Sequence, residues 1–260
     1  MPARYVARFF VLAIAGLVGI VSSIRAVDVT VTDKTGQTMM LREVVFDDSK
    51  PRLSLKLPGP ASGNSDDVEC SLHAAMLKEI TRDTTTKGES YQVKVLVTLT
   101  DGQQYRGEVS GSFGGESDLG KATVHFDKLA KASFTRSGGD TDYAPEAGTI
   151  RAQVTDKTGN RFEVTAAAIA TGNRDHSENL ACSLGEISLS VPLDTIAKIE
   201  NLGEVKAEYS TGTKLRLTLV SGRTLEVTTG SSNQIAGPFK YGTVAVPFRA
   251  LATATLEKKK

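Results

Sequence analysis

One short phrase occurs four times in this chain and limits its fold more than any other feature. The clearest copies are Val191-Pro192-Leu193-Asp194-Thr195-Ile196 and Val246-Pro247-Phe248-Arg249-Ala250-Leu251. Leu72-His73-Ala74-Ala75-Met76-Leu77 and Val124-His125-Phe126-Asp127-Lys128-Leu129 are looser versions. Proline fixes φ near about −65° and donates no hydrogen bond, so the second position suits a strand end or the entry to a single helical turn. Ile196 and Ile199 recur at three-residue spacing, as one face of a tight turn does. The phrase is expected to be strand, one helical turn, strand, with its apolar positions plugging one end of a small β-fold.

The segments that lead into the phrases alternate. Val27, Val29 and Val31 are separated by polar residues, as are Val93, Val95, Val97 and Leu99. That is the period-two pattern of half-buried strands. Asp33-Lys34-Thr35-Gly36 and Asp101-Gly102 supply hairpin turns. A Gly-rich loop is expected from Gly111 to Gly120. After the signal-like N-terminus, no stretch sustains a 3.6-residue period.

The chain then repeats itself. Val154-Thr155-Asp156-Lys157-Thr158-Gly159 duplicates Val31-Thr32-Asp33-Lys34-Thr35-Gly36 letter for letter, 123 positions later. Leu217 to Gly222 answers Val97 to Gly102, and the phrase at Val246 answers that at Val124, at nearly the same offset. Such self-similarity marks a tandem duplication. The expected fold is all-β: two tandem homologous domains, β-sandwich or β-barrel, over 27–136 and 149–257. Residues 137–148 form a Gly- and Pro-bearing linker. Each domain would hold two half-units, 27–82 and 91–136, then 149–202 and 204–257.

Gly242-Thr243-Val244-Ala245-Val246-Pro247-Phe248-Arg249-Ala250-Leu251 resembles the closing segment of SH3-like barrels. There, a strand with Gly, an apolar residue and Pro enters one 3₁₀ turn before the final strand. The resemblance implies topology over roughly ten residues per half-unit. The aromatic patch of the proline-binding members has no counterpart in this sequence, so peptide binding is not implied.

Residues 1–26 read as a secretory leader. Arg4 and Arg8 precede a 13-residue apolar run, Phe9 to Val21, and Ala26 follows as a small residue at the cut. A membrane span needs about 20 apolar residues. Removing Arg4, Arg8 and Arg25 takes the formal charge from +1 to −2. The mature chain therefore has no basic footprint for nucleic acid and no segment apolar enough to cross a bilayer as a helix. The expected location is periplasmic or extracellular.

Signals of chemistry are weak. Gly115-Glu116-Ser117-Asp118-Leu119-Gly120-Lys121 has the phosphate-loop spacing up to its lysine, but Ala122 stands where that loop needs a hydroxyl and a strand follows where it needs a helix. His73 and His125 take the slot held by Pro192 and Pro247, so they are expected to hold a backbone shape. His176 sits in a polar loop without a nucleophile motif. Asp47-Asp48, Asp66-Asp67-Glu69 and Asp140-Asp142 lack calcium-loop spacing, and the two cysteines give no zinc set. No catalytic, cofactor or metal residues are assigned. Export favours a Cys70–Cys182 disulfide, whereas the phrase alignment places Cys70 at the core-facing position of Leu189, as a buried thiol acting as a hydrophobe.

The expected function is that of a non-enzymatic binding or scaffolding module whose partner is a protein or envelope component. Two alternatives stand beside it: an enzyme, or a subunit of one, with a site between the domains around His176, and a structural subunit assembling through strand edges. The oligomeric state is open.

Overall fold

The computed structural model describes residues 27–47, 51–59, 66–84, 92–136, 148–171, 175–206 and 211–259. The leader and nearly all of the linker lie outside them. The described chain is almost entirely strand. Its first half holds β1 (Val27–Asp33), β2 (Thr38–Phe46), β3 (Arg52–Leu57), β4 (Val68–His73), β5 (Leu77–Arg82), β6 (Val93–Leu99), β7 (Gln104–Val109), β8 (Ser112–Ser117), β9 (Gly120–His125) and β10 (Leu129–Arg136). The second half holds β11 (Ile150–Asp156), β12 (Arg161–Val164), β13 (Ala168–Thr171), β14 (Asp175–Ser177), β15 (Asn179–Leu184), β16 (Ile187–Pro192), β17 (Ile196–Lys206), β18 (Thr211–Leu219), β19 (Thr224–Gly230), β20 (Asn233–Phe239), β21 (Gly242–Pro247) and β22 (Leu251–Lys258). All 22 strands belong to one antiparallel sheet.

Each phrase folds as strand, one tight turn, strand. Three-residue 3₁₀ turns occupy Ala74–Met76, Phe126–Lys128 and Leu193–Thr195, and a hydrogen-bonded turn occupies 248–250. The residue before each 3₁₀ turn is extended: His73 at φ −69°, His125 at −79°, Pro192 at −62°. These angles lie within proline's range, which explains why His and Pro exchange there. Ala74, Phe126, Leu193 and Phe248 begin the turns and are buried in the core, as are Leu77, Leu129, Ile196 and Leu251 after them. Within that core Phe46, Phe113 and Phe126 converge, with ring centroids 5.3 to 6.4 Å apart.

The duplicated hexapeptide folds the same way twice. Asp33 Oδ1 accepts from the Thr35 amide (2.8 Å), the Thr35 hydroxyl (2.7 Å) and the Gln37 amide (2.9 Å). Asp156 Oδ1 accepts from the Thr158 amide, the Thr158 hydroxyl and the Asn160 amide at 2.8 to 2.9 Å. An aspartate that satisfies its own turn amides needs no partner elsewhere.

Twenty of the strands fall into four five-membered ladders, with the β13–β14 hairpin added at β20, and the half-units are interleaved. Ladder I runs β9-β8-β2-β1-β10 and ladder II runs β4-β3-β7-β6-β5. The hairpin β1–β2 is thus completed by the phrase of the following half-unit, and β6–β7 by that of the preceding one. Ladder III is β21-β20-β12-β11-β22, with β13 also on β20, and ladder IV is β16-β15-β19-β18-β17. One backbone bond repeats the exchange in every ladder. Lys34, Thr100, Lys157 and Val220 donate to the carbonyls of Lys128, Met76, Ala250 and Thr195, at 2.8 to 3.0 Å. Ladder I joins II through β10–β5, II joins III through β4–β21, and III joins IV through β22–β17.

Candidate functional site

Four strands lead into the four phrases: β4, β9, β16 and β21. Each is six residues long. In each, the third and fifth residues face the core, and the second, fourth and sixth face out. Two of the four strands pair with each other. β4 meets β21 in the register Leu72↔Gly242, Ser71↔Thr243, Cys70↔Val244, Glu69↔Ala245, and the His73 amide donates to the Tyr241 carbonyl at 2.8 Å. The other two, β9 and β16, pair on one side only among the described residues, with β8 and β15.

The inner junction is closed by side chains as well as by its ladder. Tyr241, in the β20–β21 turn, is 5% exposed and donates its hydroxyl to Asp101 and, at 2.8 Å, to Gln103 in the β6–β7 turn. Lys240 reaches Asp101 Oδ2 at 2.7 Å. The Lys240 ammonium, with the Tyr241 hydroxyl, holds the Asp101 carboxyl down at about 2. Arg249 approaches Asp66 at 3.5 Å. Tyr105 and Phe162 stack across the same junction with centroids 6.2 Å apart. Around them lies a cleft of about 390 Å³, lined by Gln103, Tyr105, Arg161, Phe162, Glu163 and Lys240, among others. Lys240 pairs with Asp101 at its rim, and its aromatic rings pack on each other, Tyr105 on Phe162, Phe162 on Phe239 and Phe239 on Tyr241. Its geometry is that of a packed joint.

The open edges are the same strands without that cover. Cys70, Leu72, Val244 and Val246 are fully buried by the inner junction. Their counterparts Ala122 and Val124 on β9, and Leu189 and Val191 on β16, pack on the core but stay partly exposed. Unpaired amides and carbonyls along an edge are a template for another strand. On β9 the hydrogen-bonded pairs with β8 include Ser117↔Gly120 beside the two-residue turn, so Lys121, Thr123 and His125 direct their backbone groups outward. On β16 the same alternation turns out Ser188, Ser190 and Pro192.

The residues singled out from sequence are placed as follows. Cys70 (β4) and Cys182 (β15) are free, buried thiols in different ladders. Cys70 occupies the core-facing position matched by Leu189, the place expected of a buried thiol acting as a hydrophobe, and Cys182 lies opposite Leu189 in the β15–β16 pair. Burial pushes both thiols up, Cys70 strongly. That is the behaviour of a small hydrophobe. His73 Nδ1 accepts from the Ala75 amide at 3.3 Å, a cap on the 3₁₀ turn. His125 makes no such cap. His176, exposed in β14, pairs by its backbone with Ala170. Gly115 to Lys121 form the β8–β9 hairpin, with no helix to aim amides at a phosphate. Asp47 accepts from the Ser112 amide at 2.8 Å, and Asp67 from the Gly59 amide at 3.3 Å; Asp48, Asp140 and Asp142 lie outside the described residues. Among the described residues no three His, Cys, Asp or Glu side chains converge as a metal set would.

Comparison with known protein families, curated proteins and solved structures gives no match. The edges themselves were beyond sequence reasoning, since alternation shows which face of a strand is buried and not which side is paired. One signal could have found them: Leu119, alone in a polar turn, where the sister turn carries Tyr241.

Proposed function

We propose that this chain is an exported, non-enzymatic β-repeat protein of the periplasm or cell surface, and that it binds or scaffolds by offering the strand edges β9 and β16. One observation carries this reading: of four strands that occupy the same place in their ladders, two are covered by each other and two are open, with apolar side chains half-exposed along them. An apolar leader in the sequence supports export. The two-fold repetition of the ladders supports a duplicated pair of domains. In ladders I and III the order is last strand, first, second, third, fourth, with a tight turn before the last strand, and ladders II and IV carry the same arrangement circularly permuted along the chain; this supports an SH3-like plan for each unit. Binding by strand addition uses main-chain hydrogen bonds and shallow pockets for alternate side chains, which is what these edges offer.

The test is photo-crosslinking in the cells that make the protein. A photoreactive residue replaces Thr123 on β9 or Ser190 on β16, with Thr255 on β22, paired on both sides, as control. Crosslinks to a macromolecule from either edge and none from the control are expected. Edges that behave as the control does, or turnover by the purified protein that His176→Ala abolishes, would overthrow the reading.

A further inference from the structure

The two open edges lie at opposite ends of the array, β9 on ladder I and β16 on ladder IV, and they are not equivalent. The inner junction joins one strand that opens with a large residue, Val68 of β4, to one that opens with glycine, Gly242 of β21. A Cβ on Gly242 would overlap the Ser71 carbonyl, so the close approach requires glycine there. β16 opens with Ile187 and β9 opens with Gly120. At Gly120 the same Cβ direction is empty to 4 Å. The two free edges are thus one strand of each kind.

We propose that β16 of one copy pairs with β9 of a second copy, antiparallel, in the register that β4 and β21 use within the chain. This rests on the reading that the edges are the working surface, and adds that the partner is the chain itself. Transferring the register position by position sets Ile187 against Val124, Ser188 against Thr123, Leu189 against Ala122, Ser190 against Lys121 and Val191 against Gly120. At the centre, large Leu189 faces small Ala122, where Val244 faces Cys70 inside. Lys121 does not bar the approach, because Glu69 carries a charge at the same position of a paired edge. The bond lost at Pro192, which has no amide where His73 does, is replaced at the other end by His125, which has one where Pro247 does not.

The exposed apolar residues make the same point independently. Leu119 (90% exposed), Val220 (69%) and Ile187 (61%) are the most exposed large hydrophobic residues among those described. All three sit where the inner junction has its contacts. Leu119 holds the turn position of Tyr241. Val220 lies in the β18–β19 turn, beside Ser221 and Arg223, which stand where Asp101 and Gln103 receive Tyr241. Ile187 holds the position of Val68, which is 1% exposed. Asp118 takes the place of Lys240 and already pairs with Arg42 at 2.8 Å; in the same register it would lie beside Arg223, so a carboxylate and a cation again meet across the pair. Solvent-exposed apolar residues grouped at matching ends mark an interaction surface. A heterologous contact of this kind does not close on two copies, and it adds chains head to tail.

Sedimentation of purified residues 27–260 over a micromolar concentration series tests the proposal. Weight-average mass is expected to rise with concentration by about twofold or more. Thr123→Pro removes an outward amide from β9, and Ser190→Pro removes one from β16; neither breaks a bond to β8 or β15. Each variant alone is expected to stay monomeric, and an equimolar mixture to stop at a dimer through the one intact pair of edges. Leu119→Glu, at a turn position where folding cannot suffer, is expected to weaken assembly about tenfold or more. A wild-type chain that stays monomeric throughout would overturn the proposal, as would dimers formed by either proline variant alone, which signify like-with-like pairing. If the wild type stays monomeric while Thr123 or Ser190 still crosslinks to a different protein in cells, self-pairing fails and the proposed function stands.

Discussion

His73 and His125 share a backbone conformation and differ in what they bind. His73 accepts from Ala75 and donates its amide to Tyr241 across the inner junction. The amide of His125 points from an open edge, and its ring makes no cap. Replacing His125 with proline is therefore expected to stabilise the dilute monomer by about 0.4–1 kcal/mol, through a stiffer unfolded chain. His73→Pro removes two hydrogen bonds and is expected to cost about 1–3 kcal/mol. Urea denaturation of the two variants checks this, and equal effects would contradict it. Burial, and then the Arg52 charge, hold the His73 pKa below its ordinary value. The folded state keeps the ring neutral while the unfolded chain takes up a proton near about pH 6.5. The stability this supplies is complete above that pH and is lost as the pH falls below it. His73→Asn keeps an acceptor for Ala75 and should flatten that part of the pH–stability profile; an unchanged slope would assign it to other groups. The Pro/His slot was legible in the sequence because proline admits so few conformations.

At the scale of elements, alternation and turn residues revealed β1, β6, β11 and the hairpins after them, and the phrases revealed the tight turns. The third strand of each quarter was harder to see. β8 carries Gly114 and Gly115 and reads as loop, yet Gly115 is in a strand because the Arg42 carbonyl passes where a Cβ would stand. β2 bulges there, with Glu43 at φ 53° and a register shift between Arg42 and Val45. Glycine in this strand records the close approach of a neighbour, which composition cannot distinguish from a turn. The interleaving was equally illegible, because a period-two pattern does not name the partner strand. It makes a sharp prediction. Residues 27–84 hold β1–β2 without β8–β10, and 92–136 hold β6–β7 without β3–β5. Each fragment alone is expected to be unfolded by circular dichroism, and mixing them to restore cooperative β-structure. A fragment that folds alone would show that its half-unit closes on itself.

At the scale of the whole molecule, the duplication was plain in the hexapeptide and in the phrases, while the way four ladders join was not. Three junctions hold them in one sheet, and only β4–β21 links the two halves of the chain through strands of the phrase type. That junction buries its apolar positions, engages Tyr241 and Asp101, and requires Gly242. The same positions at the two ends, held by Ala122, Val124, Leu119 and Gly120 on one side and Leu189, Val191 and Ile187 on the other, are left uncovered. The central claim is that these edges are complementary and pair between copies.

Residue-resolved amide hydrogen exchange measures this most directly. In dilute protein, the amides of Lys121, Thr123, Ser188 and Ser190 should exchange fast, while those of Ala122 and Leu189, bonded to β8 and β15, should be protected. As concentration rises, the four fast amides should slow together and by similar factors, with Ala122 and Leu189 unchanged. Four amides that remain fast at every concentration, or slowing on β9 without slowing on β16, would contradict the account.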